Sequence, residues 1–77
     1  MEIEIITFGK IAEFLANQRM DVGEIRDTDR LKSYLENSFP KLAGMKYKLA
    51  VNKNIIQYNE PLSEQDSVAI MPPFSGG

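Results

Sequence analysis

The sequence predicts an α+β fold in which a mixed sheet of five strands carries two helices on one face. Three observations support this prediction. Apolar and polar residues alternate near both ends of the chain, helical spacing of three and four residues occurs in two segments, and glycine or proline separates these segments. With 77 residues, of which 43% are hydrophobic, the chain has the size of one small domain.

The first segments are predicted to form a strand followed by a short helix. In residues 1–8, isoleucines alternate with glutamates, which indicates a strand whose glutamates face solvent. Gly9 permits a change of direction after this strand. Residues 10–17 then show helical spacing, which predicts a short helix docked on the sheet through Ile11, Phe14 and Leu15.

A second strand and a longer helix are predicted to follow. Met20 and Val22 alternate with charged residues, and Gly23 ends or bulges this strand. A helix is expected to begin at Asp27 or Thr28, since either side chain can cap its first N–H groups. Its apolar stripe comprises Leu31, Tyr34, Leu35 and Phe39, and Pro40 marks its end.

The second half of the chain is predicted to form three strands. Apolar residues alternate over 46–51, asparagines at 52–54 favour a turn, and residues 55–58 return as a short strand. Leu62 is an isolated apolar residue that we expect to cover the core. The last strand contains Val68 and Ile70. If it lies beside the first strand, the chain leaves the sheet from its middle.

Composition excludes several classes of function. There is no cysteine and no histidine, so a Ser-His or Cys-His nucleophile, a His/Cys zinc site and a disulfide are all excluded. No metal site is expected, and the glycines form neither a P-loop nor a dinucleotide fingerprint. The net charge of −2 does not favour a nucleic-acid or membrane partner. Lys46, Lys48 and Lys53 are interpreted as ordinary surface lysines. We expect a cytoplasmic protein without an active site of its own.

The C-terminal segment is the strongest functional signal in the sequence. We divide the chain into a domain of residues 1–71 and a flexible tail of residues 72–77, Pro72-Pro73-Phe74-Ser75-Gly76-Gly77. Two prolines cannot continue a central strand and hold the backbone extended, so the tail should project from the domain. Phe74 would then be an apolar anchor on a protruding segment, where a partner pocket would receive it.

The two glycines indicate which chemical group the tail would present to a partner. Gly76 and Gly77 have no side chains, so their backbone can enter a channel that a Cβ would block. The group that arrives there is the α-carboxylate of Gly77, which is a poor electrophile until it is activated. Activation with ATP would give an acyl-adenylate that sulfur or an amine can attack. On the tail alone, this reading and a tail without function are about equally supported.

The whole sequence resembles the small subunit of molybdopterin synthase, the sulfur carrier of molybdenum-cofactor biosynthesis. Similar stretches occur at residues 8–15, 49–52 and 61–62 and in Asp66-Ser67-Val68-Ala69-Ile70. The most specific is the ending at residues 71–77, where two prolines precede an apolar residue, a small residue and two glycines. One departure is Gln65, where the family often has glycine. Positive φ there would cost about 1 kcal/mol, so this loop could differ from that of the family.

The resemblance implies a ubiquitin-like β-grasp fold and a route for sulfur. An adenylating enzyme related to ubiquitin activators would use ATP to activate Gly77, and a sulfur donor would leave a thiocarboxylate there. The tail would then enter the large synthase subunit, which uses the sulfur to build the dithiolene of molybdopterin. Gly77 would carry the sulfur, Gly76 would thread the channel, and Phe74 with Pro72 and Pro73 would position the tail. Ser75, between Phe74 and Gly76, would belong to the same partner-binding segment. The chain itself would bind no cofactor.

Three alternatives remain open from the sequence. A thiamine-pathway sulfur carrier shares the two glycines and the activation chemistry, although such carriers usually lack the two prolines. A ubiquitin-like modifier would instead form an isopeptide bond with lysines of target proteins. The last alternative is an interaction module whose tail is never activated.

Overall fold

The structure is a computed structural model and describes residues 1–73. Five strands, two α-helices and a 3-10 helix lie within this range. Most of the predicted boundaries fall within a few residues of the observed ones. In chain order the elements are β1 (Glu2–Thr7), a 3-10 helix (Gly9–Glu13), β2 (Gln18–Asp21), α1 (Thr28–Ser38), α2 (Pro40–Ala43), β3 (Lys48–Val51), β4 (Asn54–Ile55) and β5 (Ser67–Met71).

The described strands form a mixed five-stranded sheet in the order β2-β1-β5-β3-β4. β1 pairs in parallel with β5, and the other three pairings are antiparallel. The first and last strands therefore lie side by side, which is the condition for the chain to leave the sheet from its middle. Since β5 is the middle strand, the C-terminal segment leaves the centre of the sheet. The architecture confirms the predicted α+β fold with a ubiquitin-like arrangement of its elements.

The core lies between the helices and one face of the sheet, which we call the inner face. Ile3 and Ile5 of β1, Leu31 and Leu35 of α1, and Ile70 of β5 are fully buried there. Leu62, the isolated residue predicted to cover the core, is 5% exposed and belongs to the same cluster. No helix within residues 1–73 has the length and apolar character that crossing a membrane requires.

The prediction of a helix over residues 10–17 is wrong in type and length, because the chain forms only the 3-10 helix Gly9–Glu13. Two hydrogen bonds to β1 explain the early end. The Thr7 hydroxyl donates to the Leu15 carbonyl oxygen at 2.7 Å, and the Thr7 N–H donates to Oδ1 of Asn17 at 2.7 Å. The Leu15 carbonyl thus bonds the sheet instead of a following helical turn.

The longer helix begins as predicted and ends differently. Asp27 is its N-cap, and Oδ1 of Asp27 accepts a hydrogen bond from the Arg30 N–H at 2.8 Å. Pro40 ends α1 but also begins α2, because proline at the first helical position loses no intrahelical hydrogen bond. The strand predicted at 55–58 is shorter and lies at Asn54–Ile55, since Ile56 turns to pack against the core.

Two turns place ordinary residues in the left-handed region of backbone space. Asn52 and Lys53 have φ of 49° and 74°, which confirms the predicted turn between β3 and β4. Gln65 has φ of 70°, so the loop before β5 keeps a positive φ although glycine is absent. The Gln65 N–H donates to the Glu2 carbonyl oxygen at 2.8 Å, which ties this loop to the start of β1.

Candidate functional site

The candidate site is the base of the C-terminal tail, where the chain leaves the sheet after Met71. Pro72 is half-buried and Pro73 is exposed, so the first proline still contacts the domain and the second extends beyond it. Both prolines follow the end of β5, as predicted. The other predicted site residues, Phe74, Ser75, Gly76 and Gly77, lie outside the described residues.

The strand before the tail is held on both sides. Val68 and Ile70 of β5 are fully buried, and β5 pairs with β1 on one side and with β3 on the other. The residue before the prolines, Met71, lies opposite Lys48 of β3. Because a central strand is bonded along both edges, a partner can hold the tail without detaching the strand that carries it.

Gly9 forms the other side of the tail base. Its φ is 60°, and a β-carbon at this position would lie 3.1 Å from Cγ and 3.7 Å from Cδ of Pro72. The sequence predicted that Gly9 turns the chain after β1. It gave no sign that the same glycine touches the tail, since residues 9 and 72 are brought together only by the parallel pairing of β1 and β5.

An apolar row crosses the outer face of the sheet, the face opposite the helices. Ile6, Ala69, Ala50 and Ile55 are successive partners across β1, β5, β3 and β4. Ile55 is 54% exposed, whereas Ala50 is almost fully covered by its neighbours. We call these four residues the outer apolar row. The outer apolar row therefore makes the solvent-facing side of the sheet partly apolar. These residues are not part of the core cluster, which lies on the opposite side of the sheet.

Phe8 extends the outer apolar row to the tail base. Its backbone is still extended, with φ −136° and ψ 155°, so it continues the alternation of β1 two residues after Ile6. Its side chain is 49% exposed although it is a large apolar group. Phe8 directly precedes Gly9, the residue that faces Pro72. Sequence reasoning recognised the strand end but not this exposed aromatic residue.

Basic residues flank the tail base. Lys48 lies opposite Met71, Lys46 precedes it by two residues, and Lys10 follows Gly9. All three are exposed, and none forms an ion pair with another residue in the range 1–73. Lys53, which the sequence grouped with Lys46 and Lys48, lies instead in the turn at the far end of β3. The structure therefore separates the predicted basic group into two places.

Tyr47 secures the start of β3 behind the tail base. Its hydroxyl donates a hydrogen bond to the carboxylate of Glu36 on α1, and the ammonium of Lys32 lies 5.7 Å from the centroid of its ring. Burial, with the Glu36 carboxylate adding to it, raises the pKa of the Tyr47 phenol above its ordinary value. Tyr47 therefore stays neutral and holds β3 against α1, which fixes the position of Lys48 next to Met71.

Two grooves lie on the surface of the described residues 1–73. A groove of about 570 Å³ lies between α1 and β3 and is lined by Lys32, Tyr47 and Tyr58 among others. A second groove of about 590 Å³ lies beside the turn between β3 and β4. Within residues 1–73, no three His, Cys, Asp or Glu side chains are grouped so that they could hold a metal ion.

Comparison with known proteins agrees with this geometry. The sequence pattern of the ThiS family matches residues 5–77, which is nearly the whole chain and includes the tail. One similar solved structure is the complex of subunits 1 and 2 of molybdopterin-converting factor from Helicobacter pylori 26695. It is 26% identical, has a TM-score of 0.73, and the match covers 100% of both chains.

Two further structures share the fold at lower identity. A putative molybdopterin converting factor subunit 1 from Pyrococcus furiosus has a TM-score of 0.83 and 15% identity, over 95% of this chain and 98% of that one. SAMP1 from Haloferax volcanii has a TM-score of 0.77 and 21% identity, over 100% of both chains. At these identities the likeness concerns the fold alone.

Proposed function

Because the chain belongs to the ThiS family of ubiquitin-like sulfur carriers, we propose that it is the sulfur-carrying small subunit of a molybdopterin synthase. In this proposal Gly77 bears the sulfur, and Pro72, Pro73, Phe74, Ser75 and Gly76 present it to the partner. The observation that carries the proposal is the exit of two prolines from the middle strand of the sheet, in a chain whose family match extends through residue 77.

The chemistry required of Gly77 is activation of a carboxylate. An adenylating enzyme would let the Gly77 carboxylate attack the α-phosphorus of ATP, which releases pyrophosphate and leaves an acyl-adenylate. A sulfur donor then attacks the carbonyl carbon, and AMP leaves with the bonding electrons. The product is a thiocarboxylate whose sulfur can be given to an acceptor, after which water restores the carboxylate. The chain supplies the group that is modified, and the partners supply ATP, donor and catalytic side chains.

The described part of the chain supports delivery of that group. β5 is paired along both edges, so Pro72 and Pro73 follow a strand that is held firmly in the sheet. The prolines restrict the backbone to extended conformations, which reduces the entropy lost when a partner takes up the tail. This arrangement supports a tail that is inserted into a channel of its partner, as the resemblance implies.

The surface around the tail base supports docking of a partner subunit. Phe8 and the outer apolar row share the outer face of the sheet, and Phe8 directly precedes Gly9 at the tail base. Exposed aromatic residues are typical anchors of protein interfaces. Lys48 lies opposite Met71, Lys46 precedes Lys48 by two residues, and charges at the rim of an interface steer association. We therefore interpret these two lysines as part of the docking surface, rather than as surface lysines without a role. The complex from Helicobacter pylori, in which a similar chain is assembled with subunit 2, agrees with such a partner.

The remaining candidates differ in the acceptor of the activated group. A thiamine-pathway carrier would use the same thiocarboxylate, and the ThiS family match is compatible with it. A ubiquitin-like modifier would transfer Gly77 itself to a lysine, and the shared fold with SAMP1 is compatible with that candidate. Pro72 and Pro73 favour the molybdopterin synthase subunit, because they are the part of the ending that the other carriers usually lack.

The experiment that separates these candidates begins with the thiocarboxylate already made. The chain is prepared with a C-terminal thioester, which sulfide converts to the Gly77 thiocarboxylate without an adenylating enzyme. The thiocarboxylate chain is then mixed in parallel with a large synthase subunit and its precursor and with the thiamine-pathway acceptor. The unmodified chain, in which Gly77 is a carboxylate, is mixed with ATP, an activating enzyme and lysine-bearing proteins. A chain lacking Gly77 is the control. Dithiolene formation in the first mixture alone supports the proposal, and product in either other mixture alone refutes it.

A further inference from the structure

Gly9 and Pro72 occupy the same small space at the tail base. A β-carbon on residue 9 would approach Cγ of Pro72 to 3.1 Å, whereas carbon atoms in favourable contact lie about 3.5–4.0 Å apart. Any side chain at position 9 would therefore require residue 9 and the proline ring to separate by a few tenths of an ångström. The absence of a side chain at Gly9 is what allows Pro72 to lie against the turn after β1.

The position of the Pro72 ring determines where the rest of the tail goes. Met71 and Pro72 each precede a proline, so both are restricted to extended backbone, and the φ of each proline is fixed near −65°. Met71 is paired with Lys48 and cannot turn freely. The direction set by the contact between Pro72 and Gly9 is therefore retained through Pro73.

We propose that Gly9 is a positioning residue for the carrier reaction. Its contact with Pro72 sets the direction in which the tail leaves the domain, and so the way in which Gly77 is presented to the adenylating enzyme. This inference rests on the proposed function. Displacement of the Pro72 ring changes the direction in which the chain leaves Pro73, because the φ of both prolines is fixed. Misplacement of a reacting group by 1 Å can lower a reaction rate by about 100-fold. Since the displacement at Pro72 is smaller than this, we expect about a tenfold loss of kcat/KM for adenylation of Gly77 in Gly9→Ala.

The chain contains a matched control for this substitution. Gly23 has φ of 62°, almost the same as the 60° of Gly9, and it lies in the turn after β2 of the same sheet. A β-carbon at Gly23 would meet no atom within 4 Å. Gly9→Ala and Gly23→Ala therefore introduce the same left-handed strain, and only Gly9→Ala also displaces Pro72.

The first test observes the contact without any partner. In the nuclear Overhauser spectrum of the wild-type protein, we expect cross-peaks between the Hα atoms of Gly9 and the ring protons of Pro72. Gly9→Ala should change the chemical shifts of Pro72 and Pro73, and Gly23→Ala should leave both unchanged. Absence of the cross-peaks in the wild type, or equal shifts in both variants, would overturn the inference whatever the function of the chain.

The second test measures ATP–pyrophosphate exchange by the host's adenylating enzyme as a function of carrier concentration. We expect kcat/KM of Gly9→Ala to be about tenfold below that of Gly23→Ala, although both unfold at similar denaturant concentrations. In a Pro72→Ala background, which lacks Cγ, Gly9→Ala should have little further effect. Equal kcat/KM for the two glycine variants, or the same loss with and without the Pro72 ring, would overturn the inference.

These outcomes separate failure of the inference from failure of the proposed function. If the wild-type chain supports no exchange with an enzyme active on another carrier, the proposed function fails and the spectroscopic test alone decides whether Gly9 directs the tail. If the wild type is active and the glycine variants are equivalent, the proposed function stands and Gly9 is only a turn residue.

Discussion

Gln65 gives a prediction whose magnitude follows directly from the backbone. Its φ of 70° is the left-handed region, which costs an L-residue about 1–2 kcal/mol relative to glycine. Interactions of the Gln65 side chain offset little of this cost in free energy. Oε1 of Gln65 accepts a hydrogen bond from Nη1 of Arg19 at 2.7 Å, but both groups are exposed, and such a bond contributes about 0.5 kcal/mol. Gln65→Gly should therefore raise the free energy of unfolding by about 0.5 kcal/mol.

Two variants separate the backbone contribution from the hydrogen bond. Gln65→Ala loses the bond to Arg19 and keeps the strain, so it should be less stable than the wild type by about 0.5 kcal/mol. Gln65→Gly loses the same bond and relieves the strain. The two variants should therefore differ by about 1 kcal/mol, which corresponds to roughly 4–8 °C in Tm for a domain of this size. Urea unfolding and thermal unfolding by circular dichroism both measure the difference.

The neighbouring residue supplies a control in which the sign should reverse. Glu64 is not among the residues with positive φ, and its carboxylate accepts a hydrogen bond from the Glu2 N–H at 2.7 Å. Glu64→Ala and Glu64→Gly both lose this bond, and the glycine variant should be the less stable by about 0.5–1 kcal/mol, because glycine loses more backbone entropy on folding. If glycine is destabilising relative to alanine at position 65 as well, the reasoning about strain in this loop is wrong.

Three further predictions concern the tail base. Phe8→Ala should weaken binding of the large subunit about tenfold or more with little loss of stability, as measured by calorimetry. Tyr58→Ala, at a still more exposed aromatic residue of the far loop, should not weaken this binding. Lys48→Glu should slow association with a partner and reverse its salt dependence, and Lys53→Glu, at the far end of β3, should change neither in stopped-flow experiments. The raised pKa of Tyr47 means that the folded state favours the neutral phenol. The contribution of Tyr47 to stability is therefore complete below the ordinary phenol pKa of 10.0 and is lost as the pH rises above that value. Tyr47→Phe should reduce the fall in stability at alkaline pH, as measured by urea unfolding.

Much of the fold could be predicted because its signals are local. Alternation marked β1, β3 and β5, and Asp27 marked the start of α1 through an interaction within one helical turn. The segment at 10–17 failed for the opposite reason. Ile11 and Leu15 are both buried, as helical spacing requires, but a 3-10 turn with irregular residues after it satisfies the same spacing. The deciding bonds from Thr7 to Leu15 and Asn17 connect separate segments, and a local pattern does not reveal them.

The candidate site was predicted in part for the same reason. Pro72 and Pro73 predict the exit from the sheet by their own chemistry, whereas the groups around them come from two other places in the chain. Gly9 and Phe8 reach the tail base through the parallel pairing of β1 with β5, and Lys48 reaches it through the pairing of β3 with β5. Register between distant strands is set by the whole core, so sequence reasoning could predict the tail and not its surroundings.

The measurement that tests the central proposal most directly is the intact mass of the chain after incubation with the host's adenylating enzyme, ATP and a sulfur donor. We predict a mass increase equal to the exchange of one oxygen for one sulfur, located by fragmentation at Gly77 and absent from a chain that lacks this residue. An unchanged mass, obtained with an enzyme that modifies another carrier in the same mixture, would contradict the proposal that this chain carries sulfur.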